Sequence, residues 1–214
     1  MNNFDIVIIG AGSAGCIVAN QIISNTNYKV LLIEAGPSDN NPLIQVPLGY
    51  GMTFYHKKIN WNFYSEIQKN LHNREVYYPR GKVIGGSSSI NAMIYARGLK
   101  TDFKDWNFNH SWSWENIKST YEEIEISIQG KIKKIPLNKM PVNDVSNQHH
   151  PILKNFFDAA NDFEFKLKKE LSSSLENQVG NYNVNIINGF RASSAKIFLR
   201  PIQNHPNLTI LTKT

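Results

Sequence analysis

The sequence predicts an α/β fold built on a parallel sheet, and three observations carry that expectation. A short β-branched run, residues 6–9, and a second apolar run, residues 30–33, are separated by a glycine-rich turn and an apolar-periodic segment. Directly after the first run, Gly10, Gly12 and Gly15 fall in the spacing G-x-G-x-x-G. Strand, glycines, helix, strand and an acid, Glu34, then follow in order within about 30 residues, the context that separates a dinucleotide fingerprint from a chance glycine triplet.

The elements follow in turn. Residues 6–9 are too few to span a membrane, are bounded at once by glycine, and read as a buried parallel strand. The glycines allow a tight turn, close approach of a pyrophosphate and close helix–strand packing. The segment through Ile23 reads as a helix whose N-terminus turns free N–H groups and the positive end of its dipole toward phosphate. Residues 30–33 form a second buried strand with Glu34 at its carboxyl end. That is about 20 residues beyond the glycines, where a carboxylate accepts hydrogen bonds from an adenosine ribose. An acid there repels a 2′-phosphate, which argues against NADP and leaves NAD and FAD open.

After Gly36 the sequence PSDNNP is a polar loop. Residues 44–55 are apolar without clean periodicity and are expected as a buried extended segment. Residues 61–66 and 75–78 read as two strands joined by a turn at 71–74, with Trp61 and the tyrosines as sheet or core residues. Gly81, Gly85 and Gly86, followed by Ser87, Ser88 and Ser89, read as a loop of N–H groups and hydroxyls. The loop is expected to open into a helical run over residues 90–95, a second anion-accepting helix N-terminus. Two such elements imply a long ligand with phosphates and a second polar region. Further on, Ser113 is placed to cap a helix beginning at Trp114 and Glu115. Residues 151–165 have helical periodicity through Ile152, Phe156, Ala159 and Phe163. Residues 131–139 and 166–177 read as polar loops, and no internal repeat is visible.

The opening fingerprint, the strand around Trp61 and above all GKVIGGSSSINAMIYARG, residues 81–98, resemble the glucose–methanol–choline (GMC) oxidoreductases, with the choline dehydrogenase branch nearest in character. The resemblance resumes in NGFRASSAKIFLRPIQNHPNLTILT, residues 188–212, and covers nearly the whole chain. It implies FAD rather than NAD, and a Rossmann-like FAD-binding domain of the GMC type, incomplete, with the start of an inserted substrate domain. By the same resemblance, residues 1–105 are the first part of the FAD-binding domain. Residues 106–187 begin the substrate-domain insertion, and 188–214 return to the FAD-binding domain.

Carried over position by position, Gly10, Gly12, Ser13, Ala14 and Gly15 would hold the FAD pyrophosphate. Glu34 would bind the adenosine ribose, with Ala35 beside it. Arg80, Gly81 and Val83 would lie along the flavin side of the second loop. Gly86, Ser87, Asn91, Ala92, Met93 and Ile94 would line pyrophosphate, ribityl chain and isoalloxazine. Ile90 stands where some members carry the histidine of a covalent flavin link, so the FAD is expected to be non-covalent. Lys104 and residues 131–150 depart from the family pattern.

The implied reaction is hydride transfer from an alcohol CH–OH group to flavin N5, with a histidine taking the hydroxyl proton. None of the six histidines has the family's catalytic context, which lies in the C-terminal half, so no catalytic residue is assigned here. The 214-residue chain is expected to be the N-terminal part of such an enzyme and inactive alone. The alternatives are a truncated flavin-binding remnant and, more weakly, an NAD-dependent dehydrogenase. The partners implied are a small alcohol and an electron acceptor of unspecified kind.

Composition narrows the rest. The apolar fraction is 41% and no run approaches the ~20 apolar residues of a membrane span. A strand beginning near Phe4 leaves no room for a secretory leader, so a cytoplasmic protein is expected. The net charge of +6 is spread along the chain, and the cluster Lys131, Lys133, Lys134 and Lys139 reads as a solvated loop rather than a nucleic-acid site. Cys16, the one cysteine, reads as a small buried core residue. No metal site is expected: His149 and His150 are adjacent, and no further ligand is suitably spaced. Ser87–Ser89 lack the G-x-S-x-G setting of a nucleophile.

Overall fold

In the computed structural model the described residues are 3–104, 106, 110–134, 137–168 and 177–214. They form two compact units. The first is Met1–Met93 with Pro136–Asn138 and Gly189–Thr214, and the second is Ile94–Ile135 with Lys139–Asn188.

The first unit is built on the predicted strand–helix–strand. β1 (Ile6–Ile9) pairs in parallel with β2 (Val30–Glu34), Ile6 facing Val30, and α1 (Ser13–Asn25) connects them. A third parallel strand, Leu208–Thr212, pairs with β2 on its other side, Leu208 also facing Val30. β2 is therefore the central strand, and Val30 and Leu32 are fully buried. β1 is not the buried strand that the sequence suggests. It is an edge of this sheet, and Ile9 is 88% exposed. A β-branched run specifies a strand, but its burial depends on what covers each face. α1 buries Cys16, Ala19, Asn20 and Ile23. Asn20 Nδ2 donates to Phe198 O at 2.8 Å and to Asn138 Oδ1 at 2.9 Å, which fastens the helix to the Ala195–Leu199 turn.

Residues 44–55 are helical, not extended. Short helices run over Pro42–Gln45 and Tyr50–Thr53, with a 3₁₀ turn at Pro47–Gly49 between them. Pro42 and Pro47 each start a turn, since proline's fixed φ suits the first helical position. Asn41 Oδ1 accepts the Leu43 N–H at 3.0 Å and caps the first of them. The predicted hairpin is present in brief form, Phe63–Tyr64 antiparallel to Tyr77–Tyr78.

The stretch after the second glycine loop also differs from expectation. Gly86–Ser89 is itself a 3₁₀ turn, and no helix follows over residues 90–95. Met93 has a φ of +61° and breaks any helical run, and Ile94–Tyr95 is a strand of the second unit. The second loop is thus a single turn rather than a helix N-terminus.

The second unit holds a sheet in the order Ile94–Tyr95, Asn183–Val184, Met140–Asp144, Glu125–Gln129. Helix Trp114–Ile124 is capped as predicted, Ser113 Oγ accepting the Asn116 N–H at 3.4 Å. Glu125 is buried beside Arg97, at 2.5 Å, and accepts a hydrogen bond from the Tyr95 hydroxyl. Helix Ile152–Asp162 is present, but its less exposed face carries Leu153, Phe157 and Ala160. Ile152, Phe156 and Ala159, the face expected inside, are exposed. Lys166–Lys168, read as loop, is a strand parallel to Gln178–Gly180. Within that predicted loop, residues 169–176 lie outside the described residues. Lys131, Lys133, Lys134 and Lys139 lie outside helix and strand, as expected.

Candidate functional site

The site grows from the turn that follows β1. Gly10 takes a φ of +95°, a conformation that favours glycine, and its N–H donates to Ile33 O at 2.7 Å. The chain thereby reverses over the carboxyl end of the sheet. Ala11 N–H donates to Glu34 Oε2 and Gly36 N–H to Glu34 Oε1, both at 2.9 Å. The buried Glu34 carboxylate thus ties the glycine turn to the loop after β2, and each oxygen keeps capacity for a further donor. The Cys16 thiol donates to Ala11 O at 3.3 Å. Burial pushes the Cys16 pKa up to about 12, so the thiol is held neutral as a packing residue.

At the N-terminus of α1, Gly12 is the cap residue, no side chain caps the helix, and no acid stands in its first turn. Ser13 and Ala14 are exposed there. A Cβ built on Gly12 would meet nothing within 4 Å. The helix end is therefore open, with orphan N–H groups and a positive dipole end facing that space.

The second loop packs against the first. Gly85 N–H donates to Ala11 O at 2.7 Å, and Ile84 N–H to Pro37 O at 3.0 Å. Gly86 has a φ of +54°, and a Cβ there would lie 2.7 Å from Gly12 Cα. Only a residue without a side chain fits between the two backbones. Gly81 N–H donates to Ser87 Oγ at 3.2 Å, and Ser88 Oγ accepts the Ser194 N–H at 3.0 Å. Underneath, Val83 and Ile90 join Ile44 and Ile59 in a buried apolar cluster. Arg191, 1% exposed, donates from Nε to Ile44 O at 2.8 Å and from Nη1 to Ser88 O at 3.1 Å and Asn91 Oδ1 at 2.7 Å.

Among the residues singled out from sequence, the structure brings Gly10, Gly12, Ser13, Ala14, Gly15, Glu34 and Ala35 around one turn. It sets Gly81, Val83, Gly86, Ser87, Asn91, Ala92 and Met93 along the loop whose Gly86 touches that turn. The Val83 and Met93 side chains are buried, which leaves their backbones for any ligand. Arg80 is exposed, with its guanidinium 5.6 Å from the Tyr78 ring centre. Ile94 begins the second unit. The residue that sequence reasoning missed is Arg191. An arginine between Phe190 and the small residues Ala192, Ser193 and Ser194 was the one available sign of a buried cation.

Among the described residues, no group of three His, Cys, Asp or Glu side chains could hold a metal ion. His56, His150 and His205 each use Nδ1 to accept a nearby backbone N–H, from Lys58, Ile152 and Asn207. No described helix is long and apolar enough to cross a membrane.

An uncapped helix end with open space at Gly12, a buried acid at the end of β2 and a second glycine loop in backbone contact fit a dinucleotide cofactor. Fold and site together define a nucleotide-binding α/β domain. The family model for GMC oxidoreductase matches residues 4–214, and the chain belongs to that family, whose members are FAD-binding flavoproteins. It is 36% identical to an alcohol dehydrogenase [acceptor] of Pseudomonas putida, over 98% of this chain and 39% of the relative. An oxygen-dependent choline dehydrogenase of Vibrio vulnificus is 30% identical, over 98% and 38%. The crystal structure of pyridoxine 4-oxidase from Mesorbium loti superposes with a TM-score of 0.86 at 29% identity, over 99% of this chain and 42% of that one. The chain thus spans about two fifths of the length of these relatives.

Proposed function

We propose that this chain is the FAD-holding part of an oxidoreductase that acts on the CH–OH group of an alcohol, choline dehydrogenase-like in type. The observation that carries the reading is the contact of Gly86 with Gly12 in front of an open helix N-terminus, beside the buried Glu34. In this reading the first-turn N–H groups of α1 and Gly12 receive the pyrophosphate, and the free lone pairs of Glu34 receive the adenosine ribose. The loop from Gly81 to Met93, continued by Ile94, lines the rest. Bound FAD supplies the hydride acceptor for alcohol oxidation. The protein's part is to orient that group and exclude competing geometries.

The division into a first part of the FAD-binding domain, residues 1–105, the start of a substrate-domain insertion, 106–187, and a return, 188–214, belongs to the same proposal. So does non-covalent attachment, since Ile90 is packed in the apolar cluster and offers no nucleophile. The substrate, an alcohol such as choline, rests on similarity to the relatives named above. No histidine of this chain is assigned as base.

The test is to titrate the purified chain with FAD while following flavin fluorescence, and then to follow reduction of a dye acceptor with choline and simple primary alcohols. Saturable quenching is the expected result. Quenching without turnover keeps the cofactor reading and removes alcohol oxidation from this chain acting alone. Absence of any FAD binding would overturn the reading.

A further inference from the structure

Arg191 is the largest fully buried side chain of the described residues, and it makes no ion pair with any described acid. Its acceptors are two main-chain carbonyls, Ile44 O and Ser88 O, and one side-chain oxygen, Asn91 Oδ1. Nη2 is buried with no partner. Burying a cation without a counter-ion is unfavourable, and an aliphatic side chain of similar volume would avoid that cost. Burial pulls its pKa down to about 10, which still leaves the guanidinium charged at neutral pH. Two of its three acceptors, Ser88 O and Asn91 Oδ1, lie in the loop from Ser88 to Asn91.

Asn91 is the exposed member of that set, and its amide is oriented by two donors at once. Arg191 Nη1 lies 2.7 Å from Oδ1, and the Met93 N–H lies 3.1 Å from the same atom. A flipped amide would set NH₂ against both N–H groups and lose both bonds. The Met93 bond in turn holds a non-glycine residue at a φ of +61°. A chain of contacts thus runs from a buried cation through an amide oxygen to a left-handed backbone, all within the first unit.

We infer that Arg191 is a positioning residue that turns the Asn91 amide oxygen inward, so that Asn91 offers the cofactor site only its NH₂ donors. This rests on the FAD reading above. The group facing Asn91 is then an acceptor, a carbonyl, ring nitrogen or phosphate oxygen of the dinucleotide. A donor at that point is excluded.

Asn91→Asp tests the assignment, because it keeps an oxygen for Arg191 and Met93 while replacing NH₂ by a second oxygen. Without cofactor, this variant is expected to melt at or above the parent temperature, since an ion pair to Arg191 forms. Its FAD affinity is expected to fall at least about tenfold, the scale of one lost hydrogen bond to a polar partner. A purely structural Asn91 would not separate stability from affinity in this way. Arg191→Lys should also weaken FAD binding, but should have little further effect in an Asn91→Ala background, because the two act through one amide.

FAD binding by Asn91→Asp within about twofold of the parent would overturn the inference. So would an Arg191→Lys effect of equal size in both backgrounds. If the Arg191 variants fail to fold, the Asn91→Asp arm decides alone. A parent chain that does not bind FAD refutes the cofactor reading, and the inference with it. A parent that binds while Asn91→Asp is neutral refutes the inference only.

Discussion

Replacing Gly86 and Gly12 by alanine, one at a time, should separate the packing of the two loops from their use. At Gly86 the φ of +54° disfavours any L side chain, at a cost of about 1–2 kcal/mol. The added Cβ would sit 2.7 Å from Gly12 Cα, about 1 Å inside an ordinary carbon–carbon contact. The obstacle is backbone, so relief requires the loop to move away from the start of α1, an overpacking cost of about 1–3 kcal/mol. Gly86→Ala should therefore lose about 2–5 kcal/mol in the cofactor-free chain. Gly12 differs at every step. Its backbone is extended, at φ −75° and ψ −165°, and its Cβ would meet nothing within 4 Å. Only the weaker N-cap preference of alanine is lost, about 0.5–1 kcal/mol. The new methyl would nevertheless enter the open space before the helix end, where the pyrophosphate is proposed to lie. Urea unfolding without cofactor should rank the parent above Gly12→Ala and both well above Gly86→Ala. FAD titration should show Gly12→Ala weakened by more than about tenfold. Parent-like FAD affinity in Gly12→Ala would show that the open helix end is not the phosphate site. Parent-like stability in Gly86→Ala would show that the loops do not touch as described.

Three further outcomes are expected. Glu34→Gln should destabilise the cofactor-free chain by about 1–3 kcal/mol, because its NH₂ must face the N–H of Ala11 or of Gly36, and urea unfolding measures this. Cys16, with its folded pKa raised to about 12 from an ordinary 9.0, should make stability fall as pH rises between those values. Over that window the unfolded thiol has lost its proton and the folded one has not. The slope is at most about 1.4 kcal/mol per pH unit, and it should be absent from Cys16→Ala when unfolding midpoints are compared from about pH 8 to 10.5. Flavin bound by the chain should pass into the supernatant on acid precipitation, because Ile90 is a packed apolar residue. A yellow, flavin-retaining pellet would refute the non-covalent reading.

The sequence by itself determined the strand–turn–helix–strand opening and the pair of glycine loops. β1, α1 and β2 depend on contacts within about 30 residues, and the glycine spacing, helix periodicity and short apolar runs agree locally. The cap at Ser113 was legible for the same reason, since cap and helix are neighbours in the chain. Periodicity gave the helix Ile152–Asp162 but not its inward face. Apolar residues occupy both members of the pairs 152/153, 156/157 and 159/160, so spacing alone cannot choose the phase. Residues 44–55 misled because their lack of period suggested extension, while Pro42 and Pro47 set short turns. Tertiary structure alone decided that Gly86 abuts Gly12, and that the strand Leu208–Thr212, whose return to this domain the sequence suggests, pairs with β2 and so makes it the central strand. It also decided that Arg191 reaches Ile44, Ser88 and Asn91 across 147, 103 and 100 residues of chain. Such contacts join segments with no local signal of one another. The burial of a cation, the turn of an amide and the edge position of Ile9 are properties of what the rest of the chain places around them.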